Sequence, residues 1–232
     1  TVAADDSSDI TGLNIYGGAL YISHETGMGP VSNADLEIAA GSIPGDIVYT
    51  VDGLSKNITL ASASLVIASA KTYAPGADIT IAGNWVNNGI FDAGTSVVTF
   101  NGSQSQSILA GGADADHDFY DIDIAGRGGA SAYTVTFTDA VMMRDLETLV
   151  SGGAEYNITF NGGATITNAV TFNNTGTLTL GDVLSDTITF TGGVTATEPS
   201  VTKVVGTVYT NAAAMTFGNM ELQDTTTLDA TN

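Results

Sequence analysis

The sequence predicts an all-β chain wound into a parallel β-helix, a β-solenoid, and three observations carry that prediction. Ile158-Thr159-Phe160 followed by Asn161-Gly162-Gly163 returns thirty residues later as Ile188-Thr189-Phe190 followed by Thr191-Gly192-Gly193. Related fragments run through the chain: Val98-Thr99-Phe100-Asn101-Gly102, Val135-Thr136-Phe137, Val170-Thr171-Phe172-Asn173-Asn174, Leu178-Thr179-Leu180-Gly181-Asp182 and Met215-Thr216-Phe217-Gly218. Helical periodicity is almost absent, whereas period-two alternation closed by Gly, Asn or Asp is everywhere. Self-similarity at roughly 20 to 30 residues per unit is the signature of a solenoid.

In chain order, the strand signals fall at Leu13 to Tyr16, Leu20 to Ile22, Asp46 to Val51, Ile58 to Leu60, Ser64 to Ile67, Ile79 to Ile81, Ile122 to Ile124, Thr187 to Phe190 and Lys203 to Tyr209. Each is a short run rich in Val, Ile, Thr, Phe and Tyr that ends at turn formers. Val141 to Leu149 is the one helical candidate, because its apolar residues fall near i, i+4 and i+8. The thirty-residue offset aligns Ile158 with Ile188, Phe160 with Phe190 and Gly163 with Gly193. Spacing elsewhere varies, as expected when turns keep their strands and loops change length. Alternation puts Ile158 and Phe160 on one face and Thr159 on the other, so apolar residues stack inside a solenoid and threonines line its outside. About nine turns at ~4.8 Å each would make a rod some 40 to 45 Å long. The rival architecture is a tandem of antiparallel β-sandwich modules of about 110 residues each. Repetition of one short unit rather than of a whole domain favours the solenoid.

The chain has 232 residues, 43% of them hydrophobic and 13% charged, with 28 glycines and 4 prolines. That is too apolar and too patterned for disorder. Residues 1–75 match the repeat least and read as a less regular β segment continuous with the repeats of 76–232. The formal charge of −20 comes from 25 acidic side chains against Lys56, Lys71, Arg127, Arg144 and Lys203. Without a basic cluster, nucleic acid and anionic membrane surfaces are poor partners. The chain has no cysteine, which removes disulfides and thiolate metal sites. No segment approaches the ~20 apolar residues of a membrane-spanning helix. A chain that begins at Thr1 suits a processed mature protein or an excised fragment.

Asn84-Trp85-Val86-Asn87-Asn88-Gly89-Ile90-Phe91, Thr95 to Gly102, Gln104 to Ile108 and Phe119-Tyr120-Asp121-Ile122-Asp123-Ile124 follow one another in a distinctive order. This order resembles the repeat of large secreted β-helical proteins of bacteria and archaea. The stretch from Phe172-Asn173-Asn174-Thr175-Gly176 to Asp224-Thr225-Thr226-Thr227-Leu228-Asp229 looks like repeats of filamentous-haemagglutinin-like and autotransporter-passenger adhesins. Together these cover about two thirds of the chain. The resemblance implies a right-handed parallel β-helix, export to the cell surface, and a role in adhesion, surface layers or filaments. The sequence departs from the pattern at Ala113 to Asp118 and in residues 1–75, where features particular to this chain are expected.

Asp114, Asp116, Asp118, Asp121 and Asp123 are the densest group of hard oxygen ligands in the sequence. Calcium takes six to eight oxygens, and alternating aspartates can present several together. Two readings stand: a calcium site, with calcium the one cofactor these residues point to, and a solvated acidic loop. The EF-hand pattern fails at Phe119 and Ala125. Alternation places Tyr120, Ile122 and Ile124 inward and Asp121 and Asp123 outward.

Catalysis has little to work with. The histidines are His24 and His117, and no Gly-x-Ser-x-Gly elbow occurs. Gly126-Arg127-Gly128-Gly129 lacks the Lys-Ser/Thr of a phosphate loop. Arg127 lies close in sequence to the aspartates, the one element of a lyase site. Trp85, Tyr16, Tyr21 and Tyr73 could offer sugar-stacking platforms, and outward threonine ladders raise an ice-binding alternative. Leu222 to Ala230 reads as a strand with no amphipathic cap, which predicts that copies or successive repeats stack end to end.

These features lead to an expectation of a non-enzymatic extracellular structural or adhesive protein in a surface stalk, layer or filament. A surface receptor or glycan-binding module using Ala113 to Asp118 is the alternative, and a polysaccharide-active enzyme the distant one.

Overall fold

The computed structural model describes the chain from Ser64 to Thr231 apart from residues 68, 71, 126–132 and 150–154. Before Ser64 it describes the backbone of Val2–Ala3, Leu13–Asn14, Gly18–Ser23, Leu36–Ala40, Asp46–Tyr49 and Ile58–Leu60. Every regular element among the described residues is a strand, and from Ile58 onward all the strand pairings between these elements are parallel. The β-solenoid is therefore the fold, and the antiparallel sandwich alternative is set aside for this region. Antiparallel pairing is confined to the N-terminal part, where Gly18–Ser23 pairs with Leu36–Ala40, Leu36–Ala40 with Ser64–Ile67, Asp46–Tyr49 with Ile58–Leu60, and Leu13–Asn14 with Asp46–Tyr49.

One interior column runs the length of the stack. Leu65, Trp85, Ile108, Phe137, Phe160, Leu180, Val204 and Leu222 lie in register on successive parallel strands, 20, 23, 29, 23, 20, 24 and 18 residues apart. Seven steps make about seven turns rather than nine, and at ~4.8 Å per step the stack rises about 34 Å. The first seven members of the column are fully buried. Like residues meet like: Phe137 and Phe160 stack with ring centroids 4.6 Å apart, and beside them Tyr133 and Tyr156 stack at 5.6 Å. Each parallel-stacked aromatic pair adds about 0.5–1.5 kcal/mol beyond area burial.

In the C-terminal half each coil has three sides. The first carries Tyr133–Phe137, Tyr156–Phe160, Thr177–Leu180 and the start of Val201–Tyr209. The second carries Ala164–Ile166, Thr187–Phe190 and the end of Val201–Tyr209. The third carries Val170–Thr171, Val194–Ala196 and Met215–Phe217. Val135-Thr136-Phe137, Ile158-Thr159-Phe160 and Leu178-Thr179-Leu180 point their flanking residues inward and their threonine outward, so Thr136, Thr159 and Thr179 form one external row. That row continues into Lys203 and Glu221 and is short.

The thirty-residue sequence repeat is not a structural stack. Ile158-Thr159-Phe160 lies on side one between Val135-Thr136-Phe137 and Leu178-Thr179-Leu180. Ile188-Thr189-Phe190 lies on side two over Ala164-Thr165-Ile166. Thirty residues amount to one coil plus one side, so the matching hexamers mark the same turn used at two corners. Gly162 is required because a Cβ there would fall 2.3 Å from the Asp139 carbonyl carbon, and Gly192 because one would fall 2.4 Å from the Ala169 nitrogen, both on the coil before. Gly163 and Gly193 follow with φ of +90° and +97°, where side chains are strained.

Val141–Leu149 is a nine-residue strand, not a helix. Val141, Met143, Leu146 and Thr148 are buried, and alternation skips at Arg144-Asp145, where two residues in succession face out. That skip is a corner between two sides, and it mimics helical spacing. The same corner occurs one coil earlier: Phe119 is buried, Tyr120 and Asp121 face out, and Ile122 and Ile124 are buried. Tyr120 thus lies outside, contrary to simple alternation.

Candidate functional site

Where the repeat is interrupted, the structure gathers its chemistry. Phe119–Ala125 pairs with Val141–Leu149 so that Asp121 faces Asp145 and Asp123 faces Glu147 on the outer surface. Like charges directly opposed across strands are unfavourable, and the chain answers this unevenly. Arg144 donates from Nη2 to Asp121 Oδ2 at 2.5 Å, with its guanidinium 4.1 Å above the Tyr120 ring centroid. Asn168 Nδ2 donates to Asp145 Oδ2 at 3.1 Å. No such donor reaches Asp123 or Glu147 among the described residues. Burial, and next the charges of Glu147, Asp121, Asp145 and Asp78, push the Asp123 carboxyl up to about 6.

The inserted loop sits next to this ladder. Asp114 Oδ1 lies 2.5 Å from His117 Nδ1 and accepts the Asp116 amide at 3.0 Å. These hydrogen bonds, the histidine's first, hold the Asp114 carboxyl below its ordinary value. Phe91 N–H donates to the Asp116 carbonyl at 2.8 Å, fastening the loop to the coil before. Asp118 behaves oppositely: burial, then the charges of Asp114, Asp92 and Asp116, raise its carboxyl. A recess of about 310 Å³ adjoins the loop, bordered by Asp92, Asp118, Tyr120, Met142 and Arg144. A second, more open cleft of about 720 Å³ is bordered by Val66, Ser69, Asn88, Leu109, His117 and Asp139.

The five aspartates named from sequence thus divide into a loop trio, Asp114, Asp116 and Asp118, and a strand pair, Asp121 and Asp123. Among the described residues no group of three or more His, Asp or Glu side chains is arranged to hold a metal ion. Trp85 and Tyr73 are not platforms for sugars. Trp85 is fully buried with Phe91 and Phe119 rings at 4.7 and 5.1 Å, and Tyr73 is buried beside Phe91. Tyr16, His24 and Gly126 to Gly129, including Arg127, lie outside the described residues, as does the side chain of Tyr21. Sequence reasoning missed Asp145, Glu147 and Asp139, which are dispersed in the chain and become neighbours of the site only through coil register. The fold defines the chain as an acidic parallel β-solenoid. Comparison with protein families, with curated proteins and with solved structures finds no match.

No helix among the described residues is long and apolar enough to cross a membrane.

Proposed function

We propose that this chain is an extracellular, non-enzymatic structural or adhesive β-solenoid, a length of a surface stalk, layer or filament that is continued end to end. The observation that carries the reading is the last coil. Among the described residues Met220–Asp229 pairs only with Val201–Tyr209, leaving one edge of a ten-residue strand unpaired. Leu222 and Leu228, which continue interior columns fully buried one coil earlier at Val204 and Val208, are 57% and 43% exposed. Met215, Phe217 and Met220 are only partly covered. An open strand edge over an open apolar core is a template for one more parallel coil. A further coil of the same polypeptide or the first coil of another copy would satisfy it. The cysteine-free, strongly acidic composition suits a secreted surface protein.

The test is assembly. Negative-stain images and sedimentation velocity over a wide concentration range are expected to show end-to-end rods, and Leu222→Lys with Leu228→Lys is expected to shorten them without lowering thermal stability. Compact monomers at every concentration would remove self-stacking.

A second reading has its own observation. The loop Ala113 to Asp118 interrupts the repeat and contributes to the lining of two concave surfaces, as a surface glycan- or receptor-binding module would require. Retention of the chain on immobilised glycans tests it. Turnover of acidic polysaccharides would instead support an enzyme.

A further inference from the structure

The cleft at His117 is bordered by an imidazole with one ring nitrogen engaged. His117 is inserted ahead of the strand it precedes, and its side chain is 20% exposed. Its ring lies so close to Gly111 that a Cβ there would come within 2.7 Å of Cδ2, and Gly111 takes a φ of +95°, open to glycine at little cost. Asp139 fixes this backbone from the following coil, accepting the amides of Ala110 and Gly111 at 2.7 and 2.8 Å. Nδ1 is committed to Asp114 at 2.5 Å. Nε2 has no hydrogen-bond partner among the described residues.

The bond to Asp114 decides what Nε2 can do. A carboxylate on Nδ1 keeps the proton on that nitrogen, so in the neutral ring Nε2 presents a lone pair. A lone pair accepts from an O–H. Val66, Val86 and Leu109 stand in register on the outer face of side one, an apolar row where the same face farther along carries threonines. Val66 and Leu109 border the cleft, and Asn88 adds an exposed amide. Both oxygens of Asp139 are already occupied by backbone donors. A chain of formal charge −20 repels anions. Hydroxyl donors, an apolar C–H face and no negative charge are together the chemistry of a neutral saccharide.

We propose that this cleft binds a neutral saccharide unit, whose hydroxyl donates to His117 Nε2 and whose apolar face rests on Val66 and Leu109. This deepens the glycan-binding reading above and names its site. Asn88 selects among sugars as a second hydrogen-bonding group, and Asp114 acts as a positioning residue that sets the tautomer. The row across three coils also accommodates a glycan chain running along the solenoid axis, with one sugar in the cleft and its neighbours on the stripe.

The experiment is a titration of the full chain with a panel of neutral oligosaccharides (hexaoses of β-1,4-glucose, β-1,4-N-acetylglucosamine and α-1,6-mannose), read by histidine side-chain and backbone NMR shifts. At least one probe is expected to shift the His117 ring resonances saturably. His117→Gln, which keeps a side chain of similar reach, and separately Leu109→Ser, are expected to weaken that probe at least tenfold, whereas Thr159→Ala, two coils away, leaves it unchanged. Asp114→Asn is expected to weaken it and to alter the ring-nitrogen shifts that report the tautomer. Binding that survives both His117→Gln and Leu109→Ser would overturn the cleft while leaving glycan binding elsewhere on the chain. No binding of any neutral probe, together with no retention on immobilised glycans, would overturn both.

Discussion

Replacing Asp123 by asparagine tests the electrostatics of the outer ladder directly. Asp123 lies between Thr99 of Val97–Phe100 and Glu147 of Val141–Leu149, with Asp121, Asp145 and Asp78 nearby, and Arg144 is engaged by Asp121. Burial and these neighbours raise its carboxyl from 3.8 to about 6. A carboxyl raised in the folded state binds its proton more tightly there than in the unfolded chain. Its contribution to stability is therefore fully present below about pH 4 and is lost as pH rises to about 6. At 1.36 kcal/mol per unit the full shift corresponds to about 3 kcal/mol. The carboxyl is only half-buried, so solvent screening reduces this to about 1–1.5 kcal/mol. Asparagine keeps the shape and removes the charge. At pH 7.5 Asp123→Asn is expected to melt about 2–5 °C above the parent chain, and the two are expected to converge by pH 4. The single tryptophan, Trp85, is fully buried and reports unfolding by fluorescence. Parallel melting curves for the two proteins across pH 4 to 7.5, or a variant less stable at pH 7.5, would refute the argument.

Three further outcomes follow from packing and charge. Gly162→Ala forces a Cβ into the Asp139–Ala140 backbone and is expected to cost about 2–3 kcal/mol by denaturant titration, whereas Gly94→Ala, at φ +57° with open space around it, is expected to cost only about 1–2 kcal/mol. Phe160→Ala removes the ring stacked on Phe137 from the buried column; a loss of about 3–5 kcal/mol is expected, against less than about 0.5 kcal/mol for Thr159→Ala on the outer row. Asp114 and Asp229 have carboxyls held low by their hydrogen bonds, to His117 and to Thr231 respectively, so their contribution has the opposite sign to that of Asp123. It is present above about pH 4 and lost below it; Asp114→Asn should therefore flatten the acid limb of the stability profile while leaving the pH 4 to 6 limb of Asp123 in place.

Much of the fold is legible residue by residue. Val135-Thr136-Phe137, Ile158-Thr159-Phe160 and Leu178-Thr179-Leu180 announce inward-outward-inward strands because period two is a local property of the extended chain. Gly162-Gly163 and Gly192-Gly193 announce corners because no other residue fits there. Val141–Leu149 misleads because a corner between two sides places Arg144 and Asp145 outward together, and a skip in alternation has the spacing of a helix turn. Tyr120 misleads for the same reason. The candidate site was half legible: Ala113 to Asp118 stands out as an interruption, but nothing local says that His117 turns toward Gly111 or that Trp85 is core rather than platform.

What the sequence determines by itself is therefore the kind of strand, the kind of turn, and the acidity and lack of cysteine of the chain. Only the tertiary structure decides which repeats lie over one another. Coil length varies from 18 to 29 residues, and stacking is set by backbone hydrogen bonding between coils, which is indifferent to sequence similarity. Thirty residues on, Ile158 finds its likeness on another side of the solenoid, while 24 residues on, Asp121 and Asp123 find Asp145 and Glu147 directly opposite. The charge ladder and the cleft at His117 are both products of that register.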